Sequence, residues 1–360
     1  MLAVAAVVAT ALLWPGRSAL HEIQGKAQFN VPGTTYVSAR LDDIASGGSQ
    51  VTLLDGPERG HHVQITLPVP DQHSSLSPGD KVQLTRVPGK GAARPTYAFF
   101  AVERGTALWV LAALFAVVLI AVARWRGVMA LVGLAVAGAI LWWYVLPALL
   151  VGHAAPAVAL SGCAVILYVV LYTTHGFRPT TSAALAGTLC GVAVTVLLAW
   201  WSVGFSRLSG VAGDAGNELS GFDSGLHFPG LLVAAVVVAG LGVLNDVTIT
   251  QASAVYELRA ASPHLGRLAL WRSAMRIGRD HIASTVYTIV FAYGGTALTT
   301  LLIVQLYDQP LRLLLSTEDL AEEVVRTMVS SIGLILAVPI TTAIATLVAD
   351  GSEPGHAHHH

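Results

Sequence analysis

Four polar residues recur on one side of a long apolar stretch, and their side chains could bind a cation or a proton. Asp246, Thr250, Ser253 and Glu257 follow the spacing i, i+4, i+7 and i+11, which places them on one face of an α-helix. The surrounding segment, 228–258, contains no Lys or Arg, so no neighbour in the sequence neutralises Asp246. Carboxylate and hydroxyl oxygens are typical ligands of hard cations.

A second polar stripe follows in the next apolar segment. Asp280, Ser284 and Thr288 lie at i, i+4 and i+8, and His281 and Thr285 flank them on the adjoining strip of the same helix. Two consecutive helices therefore carry polar stripes. Ionisable residues in such segments are costly, and this makes them candidates for a functional role.

We predict that the two stripes face each other and line a hydrated path or ion site, with Asp246 and Asp280 as the carboxylates that bind a cation or proton. The residues predicted to line this path are Asn245, Thr250, Gln251, Ser253, Glu257, His281, Ser284, Thr285 and Thr288. Asp280 has an alternative role, because a carboxylate in the first turn of a helix is stabilised by the helix dipole and could pair with Arg276 or Arg279. Glu257 also fits a solvated amphipathic segment.

The composition indicates that these helices lie in a lipid bilayer. Of 360 residues, 54% are hydrophobic and 11% are charged, with a mean hydropathy of +0.66, whereas soluble domains carry about 25% charged residues. The net charge of −1 offers no basic excess for nucleic acid, and the two cysteines lie in apolar runs, which excludes a disulfide framework. No P-loop, HExxH, GxSxG or CxxC motif occurs, so we predict no enzymatic activity and no cofactor.

Seven apolar segments approach or exceed the roughly 20 residues that span a bilayer core; their ranges are 107–123, 128–150, 157–174, 182–203, 229–249, 282–306 and 325–348. A shorter run, Leu2–Trp14, is interpreted as an uncleaved first span, because no basic residues precede it. The predicted fold is an α-helical polytopic membrane protein with about eight transmembrane helices. Residues 1–15 form the first helix, 105–350 a seven-helix body, and 351–360 a polar tail or tag remnant.

The arginines predict how the chain is oriented, because cytoplasmic loops hold the excess of basic residues. With the N-terminus inside, the cytoplasmic loops carry Arg124, Arg126, Arg178, Arg259, Arg267, Arg272, Arg276 and Arg279. The opposite short loops carry Arg207 and Arg312, with Arg326 at the edge of a span. We therefore expect a protein of the bacterial inner membrane with both termini in the cytoplasm.

A polar segment, 16–104, separates the first span from the others and predicts a small extracytoplasmic β domain. Its β-prone runs are 35–41, 50–54, 62–67, 81–86 and 96–103, and Gly- and Pro-containing turns separate them. Five or six strands in about 80 residues suggest an OB-like barrel. Such barrels often bind oligomers, but this one lacks a clear aromatic stripe. The favoured interpretation is a folding cap or a docking module for an envelope protein.

The last span contains signs of a moving part. Pro339 falls in its middle and predicts a kink, with Thr341 or Thr342 satisfying the backbone groups that proline frees. The sequence 316–319, Ser-Thr-Glu-Asp, reads as a capping box that opens the same helix.

Two stretches carry a resemblance to a known family. Residues 242–258, GVLNDVTITQASAVYEL, and 278–285, GRDHIAST, resemble the signature stretches of the YibE/F-like bacterial membrane proteins. The overall plan is also similar, with a first span, a small extracytoplasmic β domain and a seven-helix body. In that family a second acidic residue often precedes the position of Asp246, whereas this chain has Asn245. The resemblance implies a multi-pass permease.

These observations lead to two hypotheses of different kinds. The first is a secondary transporter or ion-coupled permease that moves a cation or small solute. The alternative is a membrane scaffold or accessory protein that does not transport and docks an envelope partner through residues 16–104. A face of small residues, Ala235, Ala239 and Gly242, allows tight helix contacts within or between chains, so the oligomeric state stays open.

Overall fold

The computed structural model of this chain describes residues 2–26, 33–45, 48–67, 76–89, 94–222, 226–306 and 310–349. These residues form two compact units. One comprises residues 24–127, and the other comprises 1–23 together with 128–360. The predicted polar tail, 351–360, lies outside the described residues.

The larger unit, called the body, is helical. Short helices α1 (Leu2–Leu12) and α2 (Arg17–Lys26) come first in the chain, and α2 crosses the boundary between the units. The body then continues with α4 (Trp125–Ile140), which runs through a wider turn at Leu141–Val145 into α5 (Leu146–Leu150), followed by α6 (Ala155–His175), α7 (Pro179–Phe205), α8 (Gly213–Phe222), α9 (Phe228–Ala261), α10 (Arg267–Thr296), α11 (Leu298–Leu306), α12 (Leu311–Leu314) and α13 (Glu318–Ala349). The smaller unit holds α3 (Gly105–Ala123).

Each of the seven predicted long spans corresponds to a helix or to a bent pair of helices. Within the described ranges, six helices are long and apolar enough to cross a membrane, or up to seven if α10 and α11, which meet at 64°, form one broken span. The eighth predicted span is not confirmed. Helix α1 has 11 residues and is about 16 Å long at 1.5 Å per residue, well short of a bilayer core of about 30 Å.

Helices α7, α9 and α13 pack against one another at the centre of the body, and α6 and α10 flank them. Their contact faces carry small residues that let the backbones approach. A Cβ atom added at Gly187 or Gly191 of α7 would collide with Thr341 or Ala337 of α13, and one at Gly333 of α13 would collide with Thr195. Small residues at helix contacts are the usual way to gain packing energy in lipid, where apolar burial alone gives little.

The smaller unit contains the predicted strands. They are β1 (Thr35–Asp43), β2 (Ser49–Leu53), β3 (His62–Ile65), β4 (Lys81–Val87) and β5 (Thr96–Val102). All pairs are antiparallel, in the order β3-β2-β1-β4-β5. The edge strands β3 and β5 contact each other without a ladder of hydrogen bonds, which gives a half-barrel. Alternate apolar residues of the strands fill its core, as period-2 patterning requires.

Helix α3 belongs to the same unit, and two residues separate it from the end of β5. It is the most apolar of the candidate spans. None of its residues is buried within the described chain. Most of its residues are exposed in the described chain.

An ion pair joins β4 of the half-barrel to the loop between β2 and β3. Arg86 donates to both carboxylate oxygens of Glu58, at 2.9 and 2.8 Å, and the Tyr97 hydroxyl donates to the same carboxylate at 2.9 Å. These hydrogen bonds, chiefly from Arg86, lower the pKa of Glu58 from 4.5 to about 2, while the pKa values of Arg86 and Tyr97 are raised.

We predict that the half-barrel loses protection in acid. A carboxyl group whose pKa is depressed on folding stabilises the fold above its unfolded pKa, so this contribution should decline as the pH falls from about 4.5 to about 2. Hydrogen exchange of the full chain, corrected for intrinsic exchange rates, should show it as falling protection factors in β4 and β5. Arg86→Gln should lose much of this dependence, and an unchanged dependence in that variant would contradict the assignment to this ion pair.

Candidate functional site

The stripe predicted on α9 lies on the outer surface of the body. Asp246, Thr250, Ser253 and Glu257 are all exposed in the described chain. The same exposed face continues toward the start of α9 with the small residues Ala235, Ala239 and Gly242. This face of a membrane helix has no large apolar side chain, so it is poorly suited to contact lipid tails.

The stripe on α10 is also directed outward. Asp280, Ser284 and Thr288 are exposed, while Thr285 is buried and His281 is half-buried. The three hydroxyls bond to the carbonyls of their own helix. Ser284 and Thr285 donate to the carbonyl of His281 at 3.0 and 2.8 Å, and Thr288 donates to that of Ser284 at 3.1 Å.

Within one chain the two stripes do not face each other. The contact between α9 and α10 is marked by Gln251, whose Oε1 would lie 2.9 Å from a Cβ added at Gly278. At about 100° per residue, Asp246 lies about 140° around α9 from Gln251, and Asp280 lies about 200° around α10 from Gly278. Both carboxylates therefore point away from this contact.

Neither carboxylate has a hydrogen-bond or ion-pair partner in the part of the chain that the structure describes. The alternative for Asp280, a pair with Arg276 or Arg279, is likewise absent from that part, where Arg276 donates to Ser273 at 3.1 Å. Among the described residues, no group of three or more His, Cys, Asp or Glu side chains is arranged to hold a metal ion.

The structure assembles a different set of polar residues in the interior of the body. Five buried side chains from α7, α9 and α13, called here the polar seam, are Thr188, Thr248, Gln251, Thr341 and Thr342. The hydroxyls of Thr188 and Thr248 are 2.5 Å apart, and they link α7 to α9. Thr188 also donates to the carbonyl of Ala184, one turn earlier in its own helix.

Gln251 of α9 connects its helix to α10 and α13. Its amide nitrogen donates to the carbonyl of Ala274 in α10 at 3.0 Å and to the hydroxyl of Thr342 in α13 at 2.8 Å. Thr342 in turn donates to the carbonyl of Val338 at 2.7 Å. Interhelical hydrogen bonds of this kind hold membrane helices in register.

Thr341 is the exception within the seam. Its side chain is fully buried, yet its hydroxyl has no hydrogen-bond partner among the described residues. A buried polar group without a partner costs about 1–3 kcal/mol. Ser330, three turns earlier on α13, is buried and unpartnered in the same way. The hydroxyls of these two side chains are free to bind a solute, water or a rearranged neighbour.

Pro339 lies beside the seam. Helix α13 continues through it from Glu318 to Ala349, although proline cannot donate to the carbonyl of Ile335, four residues earlier. Of the two threonines expected to satisfy freed backbone groups, Thr342 bonds to a carbonyl of its helix and Thr341 does not. The backbone hydrogen bonding of α13 is therefore weakened within one turn of Thr341, whose hydroxyl is unpartnered.

Sequence reasoning identified Gln251 but missed Thr188 of α7 and Thr248 of α9. A signal for α7 was present, because Thr181, Thr188 and Thr195 recur every seven residues and all three are buried. A spacing of seven repeats one helical face over two turns. The carboxylates Asp246 and Asp280, predicted from their charge, lie outside, and the residues of the polar seam lie inside.

The described chain is that of a polytopic helical membrane protein with a separate small β unit. Residues 111–351 match the YibE/F-like protein family, and the chain belongs to that family, as the two signature stretches suggested. No curated protein and no solved structure is similar enough to this chain to count as a match.

The adjacent threonines of the seam offer a matched test of its hydrogen bonds. Thr342→Val removes an acceptor of Gln251 and should lower the free energy of unfolding by about 1 kcal/mol. Thr341→Val removes only an unpartnered hydroxyl of the same shape and should leave stability unchanged or raise it. Thermal unfolding in detergent measures both. Equal destabilisation by the two substitutions would show that the Thr341 hydroxyl has a partner in solution.

Proposed function

We propose that this protein is a secondary transporter or ion-coupled permease of the bacterial inner membrane, which moves a cation or small solute. The observation that carries the proposal is the polar seam, and within it the buried, unpartnered hydroxyl of Thr341. In lipid, polar groups must be satisfied internally. A buried hydroxyl without a hydrogen-bond partner lowers the stability of a membrane protein. A second conformation in which this hydroxyl forms a hydrogen bond would explain why it is retained.

Helix α13 is the proposed moving element. It has a proline within its span, contacts α7, α9 and α10, and contributes Thr341 and Thr342 to the seam. A rotation of the segment after Pro339 by about 100°, the angle between consecutive residues of a helix, would exchange which of the two hydroxyls meets Gln251. Such an exchange between two discrete packings is the kind of bistable step on which alternating access depends.

Asp246 and Asp280 are the proposed coupling carboxylates. Because they point away from the contact between α9 and α10, each would take up a proton or cation from its own stripe. Support comes from the exposure of Asp246, Thr250 and Ser253 along a helix that is otherwise apolar. Charged residues within membrane-spanning helices are rarely kept without a role.

The orientation belongs to the same proposal. The arginine-rich segment between α9 and α10 would face the cytoplasm, as would both termini, and the half-barrel would lie outside. The ends of the body where α6 and α9 begin would then open toward the extracytoplasmic side.

A scaffold is the second candidate, and α3 is the observation that favours it. A membrane span without a single buried residue in the described chain has its whole surface available to a partner. Together with the half-barrel, it would dock an envelope protein, and no solute would move.

The first experiment measures which ions the purified full chain binds. Melting temperatures would be recorded with Na⁺, K⁺, Mg²⁺ and Ca²⁺ as chlorides and across pH, for the parent, Asp246→Asn and Asp280→Asn. A ligand that binds only the folded state stabilises it by RT ln(1 + [L]/Kd), about 2.7 kcal/mol at a hundred times Kd. Asp43→Asn, an exposed carboxylate of the half-barrel, is the matched control.

We expect stabilisation by one ion class or by protons that either intramembrane substitution weakens and the control keeps. Flux of that ion into proteoliposomes should then fall at least tenfold in the same variants. A chain that responds to no ion, and whose Asp246 and Asp280 variants are simply less stable, would remove the transporter and leave the scaffold.

A further inference from the structure

A cleft of about 630 Å³ opens at the end of the body where α6 and α9 begin and α7 ends. Its volume lies within the range of sites for small organic ligands, about 300–1,000 Å³. Trp200, Val203 and Val233 contribute apolar walls, while His153, Arg207 and His227 contribute the polar surface. This end is opposite to the arginine-rich segment between α9 and α10.

The charged side chains of the cleft have one sign. None of its lining residues in the described chain is Asp or Glu, whereas one is a permanent cation and two are histidines. The N-termini of α6, with 21 residues, and of α9, with 34, also meet there, and each adds partial positive charge, while the C-terminus of α7 adds partial negative charge next to Arg207. The walls are therefore complementary to an anion with an apolar portion.

Arg207 is held in a conformation that glycine usually adopts. Its φ is 52°, and it follows the last turn of α7. The amide of Leu208 donates to the carbonyl of Val203, and that of Arg207 donates to the carbonyl of Gly204, the two bonds of a Schellman motif. Arg207 occupies the position in which glycine avoids strain. A strained residue lining a cleft suggests a function for its side chain.

The guanidinium of Arg207 is available to a ligand. It has no hydrogen-bond or ion-pair partner among the residues that the structure describes. Glu318 accepts a hydrogen bond from the backbone amide of Ser209, two residues further along, but no ion pair in the described chain joins Glu318 to Arg207. Asp319 likewise accepts from the amide of Gly213, so both carboxylates serve to fasten this loop to α13.

His227 supplies a neutral donor to the same cleft. Its Nδ1 accepts a hydrogen bond from the amide of Gly230 at 3.0 Å, so the proton of the neutral ring is on Nε2. Capping by Nδ1 requires the neutral ring, since a protonated Nδ1 could no longer accept. The fixed positive charge of the cleft thus comes from Arg207, and Nε2–H of His227 is left to donate.

We propose that this cleft binds an organic oxyanion, a carboxylate or phosphate that carries an apolar group. Arg207 pairs with the anionic head, His227 donates to it, and Trp200 and Val233 contact the apolar part. The ligand is either a free solute or the head group of an anionic lipid, since the two share this chemistry. The inference goes beyond the proposed function, because it requires binding and no flux.

The test compares benzoate with its uncharged isostere benzamide, on the full chain in a neutral detergent at constant ionic strength. Benzoate should raise the melting temperature by about 5 °C at about a hundred times its Kd, and benzamide should not. A parallel measurement compares nanodiscs of zwitterionic lipid with nanodiscs that also contain phosphatidylglycerol.

Arg207→Gly is the decisive variant. It removes the cation and also relieves the backbone strain, so the protein should fold at least as well as the parent while losing the response to the anion. Arg178→Gln, which removes an exposed arginine before α7 at the other end of that helix, is the control and should keep the response.

A response to benzoate that Arg207→Gly abolishes supports a site for free solutes. A response to phosphatidylglycerol alone, lost in the same variant, supports the site with a lipid as its ligand. The proposal would be overturned if the stabilisation persisted in Arg207→Gly or if benzamide reproduced it. It would also be overturned if neither benzoate nor phosphatidylglycerol stabilised the parent. Since Asp246 and Asp280 play no part in this binding, its failure and that of the proposed function are separable.

Discussion

The core of a bilayer has no water to satisfy polar groups, and the central helices of this protein depend on how they meet that constraint. Thr188, Thr248, Gln251 and Thr342 satisfy one another and nearby carbonyls across α7, α9, α10 and α13. Glycines at the helix contacts let the backbones come close enough for short side chains to reach. Packing and hydrogen bonding therefore reinforce each other at the same positions.

The polar seam and the carboxylates Asp246 and Asp280 lie on different sides of the helices. Neutral hydroxyls and an amide lie inside, where hydrogen bonds satisfy most of them at low desolvation cost, while the carboxylates Asp246 and Asp280 lie on the outer faces of α9 and α10. Placing a carboxylate in the packed interior would require a partner for its full charge. On an outer face it can reach water, a cation or another chain.

Four departures from good local chemistry lie in α13 and at the cleft. Thr341 and Ser330 are buried without partners, Pro339 interrupts the backbone bonding of α13, and Arg207 stands where glycine is favoured. Each feature lowers the free energy of unfolding. A protein selected only for stability would be expected to carry a different residue at each of these positions. The first three lie along α13 and the fourth lines the cleft at one end of the body, and these are the regions to which we assign motion and binding.

The sequence by itself determined the long spans, the five strands and the family, because hydropathy over about 20 residues and alternation over five are local properties. It also marked Asp246 and Asp280, since charge within an apolar run is conspicuous. Only the tertiary structure decided which face of α9 is buried. Partners 60 and 91 residues away along the chain define the seam, and threonine, being nearly neutral in hydropathy, does not reveal which side of a helix it will occupy.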